Sequence, residues 1–209
     1  MGIALTDETK LIEMALEGDL NALNRLVTNH QDAAFNTAMR MLGDPYLADD
    51  ATQCAFVSAY KSLKTFRGGS FKAWVLRMVI NACYDELRRQ KRRPTVPLEP
   101  VGEDGEDEIE SPAWIADDAM SPEDQVANRE LEQAIRHCLT TIGEDFRAVV
   151  VLVDVQGMDY AEVAESLKIP LGTIKSRLAR ARLKLQDCLR RFRELMPSFV
   201  RLTSKETEE

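Results

Sequence analysis

The sequence has few of the residues that build metal sites. Its 209 residues include four cysteines and two histidines, and no two cysteines form the CxxC pair that is typical of a structural metal site. His137 and Cys138 are neighbours, but adjacent helical residues point about 100° apart and chelate one ion poorly. We therefore expect no metal, no cofactor, and cysteines that are buried, reduced and structural. These are Cys54, Cys83, Cys138 and Cys188.

Long apolar runs and phosphate-binding glycine loops are also missing. The sequence has no run of about 18 apolar residues that could span a membrane, and its first residues lack the pattern of a signal peptide. These absences predict a cytoplasmic protein with no small-molecule substrate and no enzymatic activity. A metal-dependent nuclease is the enzyme alternative, and it would have to rely on carboxylates. The adjacent pairs Asp49–Asp50 and Asp85–Glu86 point apart and suit it poorly.

The net charge of −8 is distributed unevenly along the chain. Residues 1–93 contain 13 basic and 11 acidic side chains, residues 129–209 contain 14 and 13, and residues 94–128 contain 11 acidic and no basic ones. The acidic segment is also rich in proline and glycine, which indicates a linker without its own core. The chain is therefore predicted to have two domains joined by a flexible acidic linker.

The linker has two possible roles. A flexible chain of about 35 residues has a root-mean-square span of roughly 30–35 Å, so a plain spacer could hold two domains on separate sites. The segment could also mimic a polyanion in a basic channel of a partner. Trp114 and Ile115 are unusual in a pure spacer and indicate docking.

The segment after the linker predicts a helix-turn-helix. A helix over about 144–155 ends at Gly157, and Asp159 with Glu162 forms a capping box for a short helix that ends near Lys168. The tight turn IPLGT follows, and a second helix begins directly after it. This order of capped helix, turn and helix is typical of DNA-binding modules.

The stretch GTIKSRLARARLKL, residues 172–185, carries five Lys or Arg and no acid. At 100° per residue four of its apolar side chains form one core-facing stripe. That stripe contains Ile174, Leu178, Ala181 and Leu185, and the opposite face contains Ser176, Ala179, Arg180 and Leu183. Cations flank this outer face, as a helix in a major groove requires. The alternative is an ordinary solvated amphipathic helix.

The segment PYLADDATQCAFVSAYKSL predicts a helix that starts at Pro45. Asp49, Gln53, Phe56 and Tyr60 share one stripe of this helix through i, i+4, i+7 and i+11 spacing. A stripe that mixes an acid, an amide and aromatics suits a protein interface. The helical wheel alone leaves the structural and the interface interpretations equally open.

Residues 61–93 interleave aromatic and basic side chains around Gly68 and Gly69. Aromatic rings beside cations suit single-stranded nucleic acid, because bases stack on the rings and cations hold the phosphates. A flexible loop that caps a helix can also form a pocket for a flipped base. For Phe71 and Trp74 the sequence leaves a core role open beside the binding role.

Together these stretches resemble the extracytoplasmic-function (ECF) group of the sigma-70 family of RNA polymerase sigma factors. The resemblance covers about 10–93 and 122–188. It rests on ADDATQCAFVSAY, FRGGSFKAWVLRMVINACYDELRR and MDYAEVAESLKIPLGTIKSRLARARLKL, in this order around a linker. It implies an all-α protein with a sigma-2-like helical bundle and a sigma-4-like helix-turn-helix. The expected domains are 1–93, a linker over 94–128, a second domain over 129–190, and a C-terminal tail over 191–209.

The resemblance also implies roles for individual residues. Contacts to core RNA polymerase are expected from Asp49, Asp50, Gln53 and Phe56, and Cys54 stands where the family usually has an acid. Contacts to the −10 element of promoter DNA are expected from Phe66, Arg67, Ser70, Phe71, Trp74, Arg77, Asn81, Asp85, Arg88 and Arg89. Contacts to the −35 element are expected from Gly172, Thr173, Lys175, Ser176, Arg177 and Arg180.

The resemblance further implies an anti-sigma partner, which can hold such a protein at the membrane, and a linker that threads toward the RNA exit channel of polymerase. The alternative function is a stand-alone helix-turn-helix transcriptional regulator. That alternative explains residues 159–185, but it gives no purpose to the Asp49 stripe or to the basic aromatic segment.

Overall fold

The computed structural model describes residues 5–92 and 122–195, and these residues are helical with no β-strand among them. The all-α prediction is confirmed. The first part contains α1 (Leu5–Leu16), α2 (Leu20–Leu42), α3 (Pro45–Ser62), a 3-10 turn (Leu63–Thr65) and α4 (Phe71–Arg92). The second part contains α5 (Pro122–Thr141), α6 (Glu144–Val150) with a π-helical turn (Val151–Val155), α7 (Tyr160–Leu167), α8 (Leu171–Leu189) and a 3-10 segment (Arg190–Leu195).

Local capping sets the helix boundaries of the first part. The Asp19 carboxylate accepts from the backbone N–H groups of Asn21 and Ala22, and so begins α2. Gly43 ends α2 in the left-handed conformation, with φ of 78°. The Asp44 carboxylate then accepts from Leu47 N–H at 2.9 Å and begins α3.

Helices α2, α3 and α4 pack against one another around a shared core, and α1 covers α2. Leu26 and Met41 from α2 and Leu76 and Ile80 from α4 are at most 1 % exposed. Alanines fill the α3 side of this core, which allows close helix approach. The outer surfaces of α3 and α4 therefore lie on a rigid bundle.

The second part contains the predicted helix-turn-helix. Asp159 and Glu162 form the capping box of α7, and Lys168 ends that helix with a φ of 55°. Ile174, Leu178 and Ala181 of α8 are at most 2 % exposed and pack mainly against α6. The predicted inner stripe of α8 is confirmed at these three positions, and Leu185 is half-buried.

The two parts pack directly on each other. Their buried apolar residues form one continuous cluster, in which α2 contacts α5, α6 and the π-helical turn, and α4 contacts α7. Helix α5 begins at Pro122, inside the segment 94–128 that was predicted as linker. Trp114, Ile115 and the tail beyond residue 195 lie outside the described residues.

The prediction of four buried, reduced cysteines is wrong. Cys138 on α5 and Cys188 near the end of α8 form a disulfide, with Cα atoms 5.6 Å apart. Cys54 is exposed, and only Cys83 is a free, buried thiol. The prediction failed because a disulfide depends on the distance between two backbones, and 50 residues of chain separate this pair. Burial raises the pKa of Cys83 to about 12.

Candidate nucleic-acid interface

The predicted interface stripe of α3 faces solvent for most of its length. Asp49 and Gln53 are exposed, and Gln53 Nε2 donates to Asp49 Oδ2 at 2.7 Å. Tyr60 is 57 % exposed. Phe56 is half-buried and packs against the core, so only part of its ring is available. The stripe presents a carboxylate and an amide beside aromatic surface, a composition that suits a protein partner.

A surface cleft of about 800 Å³ lies between α3 and α4. It brings together the two sets of residues that the sequence assigned to polymerase and to the −10 element. From α3 it is lined by Asp50, Gln53 and Cys54, and from α4 by Asn81, Asp85 and Arg89. The two predicted functions therefore share one continuous surface.

Two arginines of α4, Arg89 in the cleft and its neighbour Arg88, are paired within the helix. Arg88 Nη1 lies 3.2 Å from Asp85 Oδ1, and Arg89 Nε lies 2.7 Å from Glu86 Oε2. The hydrogen bond to Glu86 raises the pKa of Arg89. Both arginines are largely exposed, and exposed pairs at this spacing contribute little stability. A phosphate can therefore compete for these guanidinium groups.

The loop before α4 is shaped by two glycines and a serine. Gly68 and Gly69 have φ values of 92° and 88°, which strongly favour glycine. The Ser70 hydroxyl then accepts from Ala73 N–H at 3.1 Å and caps α4. Arg67 and Ser70 are exposed on this loop, as a contact to a nucleic-acid strand requires.

Aromatic side chains anchor the base of the loop. The rings of Phe66, Phe71 and Trp74 have centroids 5.4–5.6 Å apart, and the His30 ring lies 5.4 Å from Phe71. Phe71 is only 3 % exposed, so the structure places it in the core. Phe66 and Trp74 are half-buried and keep ring surface beside the loop. The contribution of His30 from α2 was missed, because no local pattern connects it to residues 66–74.

The outer face of α8 has the predicted composition. Lys175, Ser176, Ala179 and Arg180 are exposed, and the Ser176 hydroxyl donates to the Thr173 carbonyl at 3.1 Å. Gly172 is exposed at the start of the helix, and an added Cβ there would meet no atom within 4 Å. The N-terminal end of α8 is therefore exposed and uncovered at Gly172.

Three other cations of α8 have partners inside the second part. Arg177 Nη2 lies 3.0 Å from Asp145 Oδ2. Arg182 donates twice to Asp154, and these hydrogen bonds raise its pKa. Lys184 lies over the Phe146 ring, 5.0 Å from its centroid. Within residues 5–92 and 122–195, Lys175 and Arg180 have no such ion pair, which leaves their charges unneutralised on the outer face.

None of the described helices is both long and apolar enough to cross a membrane. In the same part of the chain, no three His, Cys, Asp or Glu side chains come together as metal ligands.

Comparisons with known proteins agree with this architecture. The family model of Sigma-70 region 2 matches residues 26–93, and that of Sigma-70, region 4 matches residues 132–185. The ECF RNA polymerase sigma factor SigW of Bacillus subtilis (strain 168) is 31% identical over 87% of this chain and 96% of its own length. The ECF RNA polymerase sigma-E factor of Escherichia coli (strain K12) is 33% identical over 91% of this chain and 100% of its own length.

Two solved structures share the fold. CnrH in complex with the cytosolic domain of CnrY superposes with a TM-score of 0.63 at 24% identity, over 88% of this chain and 97% of that one. The sigma factor RpoE from Bartonella quintana, in complex with the anti-sigma factor NepR, gives a TM-score of 0.58 at 21% identity, over 80% and 96% of the two chains.

Proposed function

Because this chain belongs to the ECF RNA polymerase sigma factors, a class that directs RNA polymerase to promoters, we propose a division of labour between its two parts. Residues 1–93 bind core polymerase and the −10 element, and residues 129–190 bind the −35 element. The acidic segment from residue 94 up to the start of α5 at Pro122 connects the two and threads toward the RNA exit channel. The ranges matched by the two family models agree with this division.

The polymerase contact is assigned to the exposed side of α3. Asp49 and Asp50 present two carboxylates, and the Gln53 amide lies beside them. Phe56 adds the exposed part of its ring. Because the alanine face of α3 is fixed in the core, this side is held in place before any partner binds, which lowers the entropy cost of binding.

The −10 contact is assigned to the loop at 66–70 and the outer face of α4. Arg67 and Ser70 reach the strand from the loop, and Phe66 and Trp74 offer ring surface for a base. Four α4 side chains continue this surface at helical spacing and suit contacts to backbone and bases. They are Asn81, Asp85, Arg88 and Arg89, with half-buried Arg77 at the loop end. Phe71 supports the Phe66 and Trp74 rings from the core.

One observation carries the −35 assignment, namely the outer face of α8. Lys175, Ser176 and Arg180 project from the side opposite Ile174 and Leu178, which are fixed in the core. A helix seated in the major groove needs this combination of hydrogen-bonding groups for base edges and cations for phosphates. Gly172 and Thr173 stand at the start of α8, where the positive end of the helix dipole favours a DNA phosphate.

The chain acts by binding, without a catalytic step or a cofactor, in the cytoplasm where polymerase transcribes. An anti-sigma protein is a further expected partner. Both superposable structures are complexes, of CnrH with the cytosolic domain of CnrY and of RpoE with the anti-sigma factor NepR. Such a partner could hold the chain at a membrane.

Run-off transcription tests the function. The purified chain is mixed with bacterial core polymerase and a library of genomic fragments, and the 5′ ends of the transcripts are sequenced. We expect discrete starts that share −10 and −35 elements upstream. Absence of discrete starts, together with failure to co-elute with core polymerase, would contradict the proposal and favour a stand-alone regulator.

A matched pair of variants tests the assigned −35 surface. Arg180→Ala removes an exposed cation from the outer face of α8, and Arg129→Ala removes an exposed cation from α5 of the same domain. A base contact is worth about 1–3 kcal/mol, so Arg180→Ala should lower promoter use roughly 5- to 150-fold. Arg129→Ala should leave it unchanged. Equal effects of the two substitutions on promoter use would contradict the assignment of the −35 contact to α8.

A further inference from the structure

The loop before α4 is held at its two ends. A Cβ atom added at Gly68 or at Gly69 would meet no atom within 4 Å, so the middle of the loop is not packed against another element. At the ends, the Phe66 and Phe71 rings meet edge to face with centroids 5.6 Å apart. The position of the loop therefore depends on the aromatic cluster, which consists of Phe66, Phe71 and Trp74.

A histidine of α2 packs on this cluster. The His30 ring lies 5.4 Å from the Phe71 ring between centroids, with 43° between the ring planes. A separation of this size is typical of interacting aromatic rings. The His30 side chain is 14 % exposed and Phe71 is 3 % exposed, so the contact is largely shielded from water. The position of the Phe71 ring is therefore coupled to that of the His30 ring.

A carboxylate of α1 orients the imidazole of His30. Glu8 lies in the first turn of α1, and its Oε1 atom is 2.8 Å from His30 Nε2. An ionised carboxylate only accepts hydrogen bonds, so Nε2 is the donor. Leu11 of the same helix is buried, which fixes α1 on α2 beside this pair. A rotation of the His30 ring would break the bond to Glu8, so the bond sets the direction of the ring.

These contacts form one path from α1 to the surface assigned to the −10 strand. Glu8 binds His30, His30 packs on Phe71, and Phe71 contacts both Phe66 and Trp74. Phe66 and Trp74 are half-buried and keep ring surface for a base. Glu8 lies outside residues 26–93, which the Sigma-70 region 2 model matches. The first helix of this chain therefore reaches the proposed −10 site through side-chain contacts.

We propose that His30 is a positioning residue for the −10 contact and that Glu8 orients it. The His30 ring holds Phe71, and Phe71 holds Phe66 and Trp74 in the arrangement that receives an unstacked base. His30 and Glu8 act through Phe71 rather than by contact with DNA. The inference rests on the proposed function, because the base belongs to the −10 element. Without the His30 ring, fewer molecules have this arrangement, and the base is held more weakly by the same factor.

Promoters with an abasic site test the inference in the full chain with core polymerase. At each −10 position in turn, the base of the non-template strand is removed, and the yield of transcript from the intact promoter is divided by the yield from the abasic one. This ratio measures how much each base contributes. His30→Gln removes the ring and keeps a donor for Glu8. Loss of an aromatic pair should lower the ratio roughly 2- to 12-fold at one −10 position.

The ratio separates positioning from stability. A variant that is only less stable lowers the yields from the intact and the abasic promoter alike, so its ratios do not change. Ratios for abasic sites in the −35 element should also stay at their native values in His30→Gln. Native ratios at every −10 position in a folded His30→Gln chain would overturn the inference.

His137 provides the matched control. It is the other histidine of the chain, and its ring packs on Phe192 with centroids 5.9 Å apart, away from the −10 surface. His137→Gln therefore removes the same kind of ring contact and should keep native ratios at the −10 element. An equal decrease in His137→Gln and His30→Gln would show a general effect of ring loss and contradict the role of His30.

Trp74 fluorescence tests the packing without DNA. The chain has two tryptophans, so Trp74 is the only one left in a Trp114→Phe background. In that background His30→Gln should move the Trp74 emission to longer wavelength and increase its quenching by acrylamide, because the cluster packs less tightly. His137→Gln should change neither quantity. Native Trp74 emission and quenching in His30→Gln would refute the path through Phe71.

Glu8 variants decide the test if His30→Gln fails to fold, which circular dichroism identifies. Glu8→Ala removes the acceptor at a side chain that is 26 % exposed, and Glu8→Gln keeps an acceptor oxygen. Glu8→Ala should lower the abasic ratio at one −10 position, and Glu8→Gln should bring it back toward the native value. Native ratios in Glu8→Ala would overturn the role of Glu8 and, where His30→Gln is not folded, the inference as a whole.

The outcomes separate this inference from the proposed function. A native chain that supports no transcription would contradict the proposed function, while Trp74 fluorescence would still test the packing of His30 on the cluster. A native chain that transcribes, together with native abasic ratios in a folded His30→Gln chain, would overturn the inference alone.

Discussion

The disulfide between Cys138 and Cys188 gives a large expected effect on stability. It closes a loop with a sequence separation of 50 residues, and that loop contains α6, α7 and most of α8. In the chain-entropy treatment, a cross-link of this length stabilises the folded state by about 4 kcal/mol, because it restricts the unfolded chain. Reduction, or the substitution Cys188→Ser, should remove this amount from the free energy of unfolding.

The resulting change in melting temperature also depends on how the domains unfold. For a unit of 60–100 residues, 1 kcal/mol shifts the melting temperature by roughly 4–8 °C, and for 150–250 residues by roughly 2–4 °C. Loss of the disulfide should therefore lower the melting temperature by about 16–32 °C if the second domain unfolds alone. The decrease should be about 8–16 °C if the packed domains unfold together.

Differential scanning calorimetry with and without a thiol reductant measures the shift, and alkylation followed by mass spectrometry counts the free thiols. Cys54→Ser is the matched control, because it removes an exposed thiol outside the bridge. An unchanged melting temperature after complete reduction would refute the stabilisation. Four alkylated cysteines in a mildly oxidised, folded chain would refute the pairing itself.

Three further predictions concern local features. Burial raises the pKa of the Cys83 thiol to about 12, so the folded chain holds this proton more tightly than the unfolded chain does. The protonated thiol therefore favours folding, and the free energy of unfolding should fall as pH rises from about 9 toward 12. In urea titrations, Cys83→Ala should reduce this fall in the free energy of unfolding. Asp159→Ala removes the capping box of α7 and should lower the free energy of unfolding by about 1 kcal/mol in the same urea titrations. An unchanged free energy of unfolding would show that the cap does not stabilise the fold. Deletion of residues 94–128 removes 11 acidic side chains and should tighten binding of the isolated chain to promoter duplex at physiological salt; unchanged binding would contradict an electrostatic role of the linker.

Local sequence determined the features that depend on near neighbours. Asp159 and Glu162 predicted the start of α7, and the structure confirms it, because caps act within one turn. The inner stripe of α8 followed from the 3.6-residue periodicity of apolar side chains. This periodicity assigns Ile174 and Leu178 to the core without information on the other helices. The family resemblance added which domain comes first, namely the sigma-2-like bundle before the sigma-4-like helix-turn-helix.

Tertiary structure alone decided which groups meet across long separations. Cys138 and Cys188 gave no spacing signal. Nothing in the local sequence predicts that Arg147 is buried, with its guanidinium on backbone carbonyls of α2 and of the end of α5. The sequence left a core role and a binding role open for Phe71, and only its burial against Phe66 and Trp74 assigns it to the core. Each of these contacts depends on how whole helices pack, and packing is set by the sum of many distant apolar contacts that local sequence does not encode.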